Sequence, residues 1–296
     1  MLDYKLLEAL TVVVREQGFE NAARVLHITQ SAVSQRVKLL EERMGQALVV
    51  RGTPVTPTDA GRKLLRHFEQ VKLLEEQTLA ELSPELEEGP VTLSVGVHAD
   101  SLATWFLEAV APMAFRHGVL LDLVLEDQEN THQLLRRGEV VACVGTHPTP
   151  VQGGRTEYLG RMRYVLVAAP DFAQRWFGGG VTAAKLTRAP AVIFNRKDEL
   201  HFRFLEKHYG LTLGDTPFHI MPSSEAFVEA TMRGMAYTLV PELQVLDELD
   251  EGMLVNIAPD RTIELKLHWH TWGLKVDMVD RLTELVVRHA RKVLPQ

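Results

Sequence analysis

The chain has 296 residues, of which 46% are hydrophobic and 24% are charged, and its net charge is −7. This balance is typical of a globular protein in water, and the length predicts two or more domains. No apolar run approaches the ~20 residues that a membrane-spanning helix needs, and the N-terminal segment lacks the layout of a signal peptide, so the sequence favours a cytoplasmic protein without a membrane partner. The single cysteine, Cys143, excludes an internal disulfide and a multi-cysteine zinc site, and its apolar neighbours predict a buried, unreactive thiol.

The charges are divided unevenly along the chain. Residues 1–66 contain 10 Lys and Arg against 7 Asp and Glu, a net of +3, whereas the remaining residues carry a net of −10. The excess is concentrated in residues 24–66, which hold 8 basic and 3 acidic side chains. A basic module joined to an acidic one indicates a DNA-binding head on a body that need not contact DNA.

The N-terminal stretch predicts three helices, of which the third can read DNA. An amphipathic helix ends at Gly18, and two helices joined by a short turn follow between Glu20 and Met44. Thr29 can cap the third helix, because its hydroxyl can accept a free backbone N–H. The side chains of that helix at i, i+4 and i+7 form one buried stripe: Val33, Val37 and Leu40.

The opposite face of the third helix is polar and cationic. Its side chains are of the kind that reach base edges and phosphates in a major groove: Gln30, Ser31, Ser34, Gln35 and Lys38. This arrangement predicts a helix-turn-helix with the third helix as the reader. An ordinary helical hairpin with a polar outer face is the alternative for this stretch alone.

A small β wing and a long helix are predicted next. The apolar run 48–50 and the Pro-rich turn 51–57 fit a wing with a basic root at Arg51 and with Thr53 in the turn. Thr58 and Asp59 can cap the helix that follows. Its apolar stripe favours a partner helix, although packing on its own domain alone would also cover it: Leu64, Phe68, Val71 and Leu74.

From residue 91 the pattern changes to apolar strands that alternate with amphipathic helices. Strand-helix-strand repeats predict a mostly parallel sheet covered by helices. In such sheets a ligand binds beyond the carboxyl ends of the strands, against helix N-termini. Two strand ends fit this rule, one at His98–Trp105, where Asp100 or Ser101 would cap a helix, and one at Pro222–Glu225, where a serine would cap a helix opening at Glu225.

The N-terminal sequence resembles the DNA-binding domain of LysR-type transcriptional regulators. The resemblance rests on GFENAARVLHITQSAVSQRVKLLEERMG and on VVRGTPVTPTDAG. It departs at Ser31, where a proline is common, and at Val49, where an aromatic residue is common, and Ser31 adds a potential DNA contact. The residues predicted to contact DNA are Thr29, Gln30, Ser31, Ser34, Gln35, Lys38, Arg51 and Thr53.

This resemblance implies a domain organisation. It comprises a winged helix-turn-helix over 1–58, a linker and dimerisation helix over 59–83, a hinge over 84–90, and a two-lobed α/β effector domain like a periplasmic binding protein over 91–296. Lobe one would be 91–163 with 268–296, lobe two would be 164–267, and the chain would cross between them near Tyr158–Ala168 and near Leu265–Trp272. The expected partners are double-stranded promoter DNA, further copies of the chain in a dimer or tetramer, a small effector and RNA polymerase.

A finer resemblance concerns the effector. The stretches HADSLATWFLEAVAP, LEDQENT with LLRRGEVV, and SSEAF are similar to the branch of these regulators that senses lysine and arginine and controls basic amino-acid export. His98 departs from it, since an asparagine is typical there. The predicted effector-binding residues are Asp100, Ser101, Glu126, Asp127, Thr146, Ser223, Ser224 and Glu225, with His147 beside Thr146. Carboxylates facing a cleft suit a cationic ligand, because an unpaired buried charge is costly.

Other functions are less well supported by the sequence. An aromatic or organic acid effector would need cationic groups such as Arg136, Arg196 and Lys197, and a solute-binding module without DNA function would need no reader helix. His268 and His270 share one face of a strand, but no further ligands accompany them, so no metal site is predicted. No nucleophile, cofactor or phosphate-loop motif occurs, and the chain is therefore not expected to be an enzyme or to hold a cofactor.

Overall fold

The computed structural model describes residues 2–82, 91–128, 130–196, 198–212 and 214–296. The predicted hinge at 84–90 and the candidate Lys197 lie outside the described residues. Among the described residues, no helix combines the length and the apolar character that crossing a membrane requires.

The N-terminal domain is a three-helix unit with a two-stranded wing. Its elements are α1 (Tyr4–Arg15), α2 (Phe19–Val25), α3 (Gln30–Met44), β1 (Val49–Val50) and β2 (Thr56–Pro57). The wing strands pair antiparallel, with Val49 opposite Pro57. The core is formed by the apolar stripes of the helices and by the wing, as the periodicity predicts. Helix α3 ends where Gly45 takes the left-handed conformation (φ 68°), which glycine adopts without steric cost.

A single helix, α4 (Asp59–Leu82), leads out of this domain. The hydroxyl of Thr58 caps it by accepting the N–H of Gly61 at 3.1 Å. Leu65 is buried against the DNA-binding domain, whereas Leu73 is buried in the core of the C-terminal domain. The helix therefore packs on both parts of the chain, and the predicted stripe is left half-buried: Leu64, Phe68, Val71 and Leu74.

The C-terminal domain begins at residue 91. Its first half contains β3 (Thr92–Val97), α5 (Ala99–Ser101), a π-helical turn (Leu102–Phe106), α6 (Leu107–His117), β4 (Leu120–Leu125), α7 (Thr131–Arg137), β5 (Ala142–Gly145) and β6 (Gly154–Ala168). Its second half contains α8 (Pro170–Phe177), α9 (Ala183–Leu186), β7 (Ala191–Ile193), α10 (Glu199–Tyr209), β8 (Phe218–Ile220), α11 (Ser224–Met232), β9 (Thr238–Pro241), a 3-10 turn (Glu242–Gln244), α12 (Leu246–Asp250), β10 (Val255–Asn256), β11 (Ile263–Trp272) and α13 (Asp277–Val293).

The large sheet of this domain is mixed, so the prediction of a mostly parallel sheet is wrong. Its path is β10-β6-β11-β5-β3-β4, with β9 also paired to β6. Strand β3 pairs parallel with β4 and β5, but β6 and β11 run antiparallel from Tyr164↔Ile263 to Gly154↔Trp272. The antiparallel pair arises because the chain enters the second lobe along β6 and returns along β11. Strands β7 and β8 form a separate parallel pair in the second lobe.

Candidate functional site

Helix α3 presents a polar face on the outside of the DNA-binding domain. Val33, Val37 and Leu40 fix its orientation, since each has 1% or less of its surface exposed. Thr29 caps the helix as predicted, its hydroxyl accepting the N–H of Ala32 at 3.2 Å. The predicted DNA-contacting side chains are exposed, except for the half-buried Ser34: Thr29, Gln30, Ser31, Gln35, Lys38, Arg51 and Thr53.

Two basic side chains of this face each form a weak ion pair with an acidic side chain. The Lys38 ammonium lies 3.6 Å from the Glu42 carboxylate, and the Arg51 guanidinium lies 4.0 Å from that of Glu41. Arg51 also stands over the ring of Phe19, 5.7 Å from its centroid. The Lys38 pair is exposed on both sides and contributes on the order of 0–1 kcal/mol, so Lys38 can exchange its partner for a phosphate. The Glu41 side chain is only 17% exposed, but the Arg51 side chain is 62% exposed and remains accessible to a phosphate.

The second candidate site is centred on Asp100, in the first turn after β3. One carboxylate oxygen accepts a hydrogen bond from the Tyr164 hydroxyl at 2.7 Å, and the other accepts one from the Ser224 hydroxyl at 2.8 Å. Ser224 also lies 2.9 Å from the side-chain oxygen of Gln244, whose amide nitrogen donates to the Ser224 carbonyl at 3.0 Å. Asp100 therefore joins the helix that follows β3 to the N-terminus of α11, across the interior of the domain.

Further carboxylates surround this group. Burial raises the pKa of Asp100, the two hydroxyl donors oppose that shift, and the Glu225 carboxylate raises the pKa again. Burial also raises the pKa of Tyr164 well above its usual range, helped by Asp100 and then by the carboxylates of Asp198 and Asp127. Four carboxylates thus act on this site: Asp100 and Asp198 are half-buried, whereas Glu225 and Asp127 are exposed. Negative charge on the half-buried pair is unfavourable without a cation.

The second helix end has the predicted cap. Ser223 accepts the N–H of Ala226 at 3.2 Å, and its hydroxyl donates to the Glu225 carboxylate at 2.9 Å. The helix opens at Ser224, one residue earlier than predicted. The positive end of its dipole therefore points towards the side of Ser224 that Asp100 occupies.

The first helix end differs from the prediction. Neither Asp100 nor Ser101 is the cap, because the imidazole of His98 takes that place and accepts the Ser101 N–H at 3.4 Å. The Ser101 side chain is fully buried, with its oxygen 2.8 Å from a ring nitrogen of His98 and 3.1 Å from the indole nitrogen of Trp105. Ser101 is therefore separated from the group around Asp100 and supports the wall behind it.

The remaining predicted effector residues lie on the loops after β4 and β5. Glu126 is exposed and accepts the N–H of Asp127, and it adds to the effect of burial that raises the pKa of Glu139. Thr146 is half-buried and donates to the carbonyl of Gln128 at 3.4 Å. His147 stacks on His132, with ring centroids 3.8 Å apart. Of these residues, Asp127 is the one whose negative charge adds to the raised pKa of Tyr164.

Two family models match the chain. One is the bacterial regulatory helix-turn-helix protein of the lysR family, over residues 4–62, and the other is the LysR substrate binding domain, over residues 51–290. The chain belongs to the LysR family. It is a DNA-binding transcriptional regulator with a C-terminal effector-binding domain.

Individual relatives agree with this membership. The chain is 48% identical over 292 residues to the HTH-type transcriptional regulator ArgP of Pseudomonas aeruginosa PAO1, covering 98% of this chain and 96% of that protein. It is similar to the crystal structure of ArgP from Mycobacterium tuberculosis, with 37% identity, a TM-score of 0.84, and coverage of 100% and 99%. It is also similar to full-length LysG from Corynebacterium glutamicum with bound effector Arg, with 34% identity, a TM-score of 0.79 and coverage of 100% of both chains.

Three residues of this LysR-type regulator were not predicted for the site. Asp198 caps α10 by accepting the N–H of His201, and it could have been found, since it follows strand β7 as Asp100 follows β3. Tyr164 lies inside a strand that reads as core, and Gln244 lies in a short turn, so no sequence pattern identifies either of them.

Of the described cations considered for an acidic effector, Arg136 is exposed and Arg196 stands over the ring of Phe218 at 5.8 Å.

Proposed function

We propose that the effector is a basic amino acid, lysine or arginine, bound around Asp100 and the N-terminus of α11. The observation that supports this most strongly is the set of carboxylates acting on one half-buried site: Asp100, Asp127, Asp198 and Glu225. Burial is the main cause of the raised pKa values of Asp100 and Tyr164, and a bound cation would offset both that cost and the added repulsion from the other carboxylates. LysG, whose structure holds Arg as effector, is similar over its whole length.

An amino acid also carries a carboxylate, and the site offers a place for it. Helix α11 spans nine residues from Ser224, and the first N–H groups of a helix have no intrahelical acceptor, although the Ser223 hydroxyl here caps that of Ala226 and donates to Glu225. Such a terminus stabilises an anion through its dipole and its unpaired donors. In this proposal the effector carboxylate binds at Ser223 and Ser224, its α-ammonium binds Asp100, and its side-chain cation lies towards Asp127 and Asp198.

We propose further that the chain binds a promoter as a dimer or tetramer and controls a gene such as a basic amino-acid exporter. Leu79 and Leu82 at the end of α4 are 45% and 74% exposed, which leaves an apolar surface for a second copy of this helix. A dimer would present two α3 helices to two half-sites of one operator. Closure of the lobes on the effector would change the relative positions of the two α3 helices on the operator, and thereby the contact of the regulator with RNA polymerase.

Isothermal titration calorimetry on the full chain tests the effector assignment. Lysine and arginine are titrated into the wild-type protein, into Asp100→Asn and into the control Asp260→Asn, which removes an exposed carboxylate elsewhere in the same domain. A hydrogen bond to a charged group contributes about 1.5–3 kcal/mol, so Asp100→Asn should weaken binding roughly 10- to 150-fold while Asp260→Asn leaves it unchanged.

Two results would overturn the proposal. If an aromatic or organic acid binds in place of lysine and arginine, the effector is an acid that cationic side chains recognise. Equal affinity for lysine or arginine in wild type and Asp100→Asn would place the effector away from Asp100. Membership of the LysR family does not depend on either outcome.

A further inference from the structure

Helix α7 connects the candidate effector site with the helix that leads to the DNA-binding domain. At its start, the carbonyl of Asp127 accepts the N–H groups of Asn130 and Thr131 at 2.8 and 3.0 Å. At its end, Gly138 takes the left-handed conformation, with φ 77°. The seven residues of α7 are all that separates these two ends, so a single short helix joins them.

Gly138 is pressed against the backbone of α4. A Cβ atom built on Gly138 would lie 2.6 Å from the Cα of Arg66, 2.7 Å from its Cβ and 2.9 Å from its backbone nitrogen. These distances are below van der Waals contact, and two of the three atoms belong to the backbone, which cannot rotate away. Only glycine allows α7 and α4 to approach this closely.

Two more contacts dock α4 on the effector domain. Leu73 is 7% exposed and lines a small cavity together with Val141 and Trp272. The indole N–H of Trp272 donates to the carbonyl of Leu135 in α7 at 3.3 Å, so the same side chain touches both helices. Eleven residues after Arg66, the side-chain oxygen of Gln77 accepts the N–H of Asp277 at 3.1 Å.

We infer that Gly138 is a positioning residue that sets the angle of α4, and hence of the reader helix, relative to the effector domain. The inference rests on the proposed function for the link to effector occupancy, because Asp127 belongs to the proposed site. A movement of the loop that carries Asp127 is passed along α7 to Gly138. Since Gly138 touches the backbone of Arg66 directly, α4 must follow.

The size of the effect can be worked from the helix geometry. Making room for a methyl group at Gly138 needs a displacement of about 1 Å at Arg66. With Gln77 held ~16 Å away along the helix axis, this shift tilts α4 by roughly 4°. Every residue of the DNA-binding domain is carried with it, because that domain leads directly into α4.

The test compares Gly138→Ala with Gly118→Ala and Gly210→Ala. All three glycines follow helices in the left-handed conformation, with φ 77°, 62° and 68°, but a Cβ at Gly118 or Gly210 would meet no atom within 4 Å. The controls therefore carry the same backbone strain without the collision. Operator affinity is measured by fluorescence anisotropy with and without arginine, on operators whose half-site spacing is changed by one base pair in either direction.

Gly138→Ala should change the ratio of affinities among the spacings, and the response to arginine, by roughly 2- to 30-fold, with calorimetric arginine affinity within about twofold of wild type. Gly118→Ala and Gly210→Ala should behave as wild type. If Gly138→Ala matches the two controls in every DNA measurement, the inference is wrong. If wild type itself fails to respond to arginine while Gly138→Ala still changes the spacing preference, the proposed function fails and the docking role stands.

A second variant keeps the inference testable if Gly138→Ala does not fold. Leu73→Ala removes a docking side chain of α4 without adding an atom, and hydrogen exchange of residues 62–74 reports the docking directly. Faster exchange in this segment together with an altered spacing preference is the expected result. Unchanged spacing preference in Leu73→Ala despite faster exchange would show that docking of α4 does not set the reader angle, and would overturn the inference.

Discussion

Acid should destabilise the effector domain, because buried histidines resist protonation. Burial lowers the pKa of His98 and of His270 to about 4, from 6.5, and for His270 the neighbouring His268 adds to the shift. The unfolded chain therefore takes up these protons first as the pH falls through 6.5. Stability is fully present above that pH and is lost progressively towards pH 4.

The loss can be estimated from linkage. Between pH 8 and pH 5, a histidine with these two pKa values costs about 2 kcal/mol, so the pair costs about 4 kcal/mol. Asp100 acts in the opposite direction, since burial raises its folded pKa and protonation then favours the folded state. Burial lowers the pKa values of His201 and His268 as well, so four histidines act in the same direction, and the loss is a large part of the ~5–15 kcal/mol that stabilises a typical domain.

Urea unfolding followed by tryptophan fluorescence measures this domain selectively, because all four tryptophans lie beyond residue 91. His98→Asn, whose amide oxygen can still cap the helix, should reduce the difference between pH 8 and pH 5 by about 2 kcal/mol. His117→Gln changes an exposed histidine and should leave the difference intact. Equal stability of the wild type at pH 8 and pH 5, or a full pH dependence in His98→Asn, would refute the reasoning.

Three further predictions concern the DNA-binding domain. Gln30→Ala and Ser34→Ala should each cost roughly 1–3 kcal/mol in operator affinity by anisotropy with unchanged circular dichroism, and unaltered affinity in both would remove them from base reading. Lys38→Ala and Arg51→Ala should each lower the slope of log affinity against log salt by about one unit. The effector-domain control Lys275→Ala should not change this slope. An unchanged slope in both Lys38→Ala and Arg51→Ala would mean that neither cation contacts a phosphate. Gly61→Ala should destabilise the domain by about 1–3 kcal/mol in thermal unfolding, since the added Cβ would collide with the carbonyl oxygen of Leu48. If Gly61→Ala is as stable as the wild type, α4 can shift without cost.

The sequence predicted local structure well where one periodicity decides it. The stripe on α3 and the cap at Thr29 are fixed by residues within four positions of each other, so pattern alone suffices. The direction of the strands was missed, because β6 and β11 owe their antiparallel pairing to the path of the chain between lobes, and no local pattern encodes that path.

The candidate site shows the same limit. Asp100 and Ser224 could be named from strand ends and helix caps, but they are 124 positions apart, and only the fold shows that they are bonded to each other. Tyr164 and Gln244 complete the network from positions that look like ordinary core and turn. The cap of the first helix was predicted wrongly, because the imidazole of His98 takes that place and turns Ser101 inward, a geometry that the residue types alone do not distinguish.

We propose that the carboxylates around Asp100 recognise a positive side-chain charge on the effector. The most direct test compares arginine with citrulline, which replaces the guanidinium by a neutral group of similar shape, in thermal unfolding of the full chain. At a concentration 100 times its dissociation constant, a ligand stabilises by about 2.7 kcal/mol, which is readily seen as a rise in Tm. We expect this rise with arginine and none with citrulline, and equal stabilisation by the two would contradict recognition of the side-chain charge.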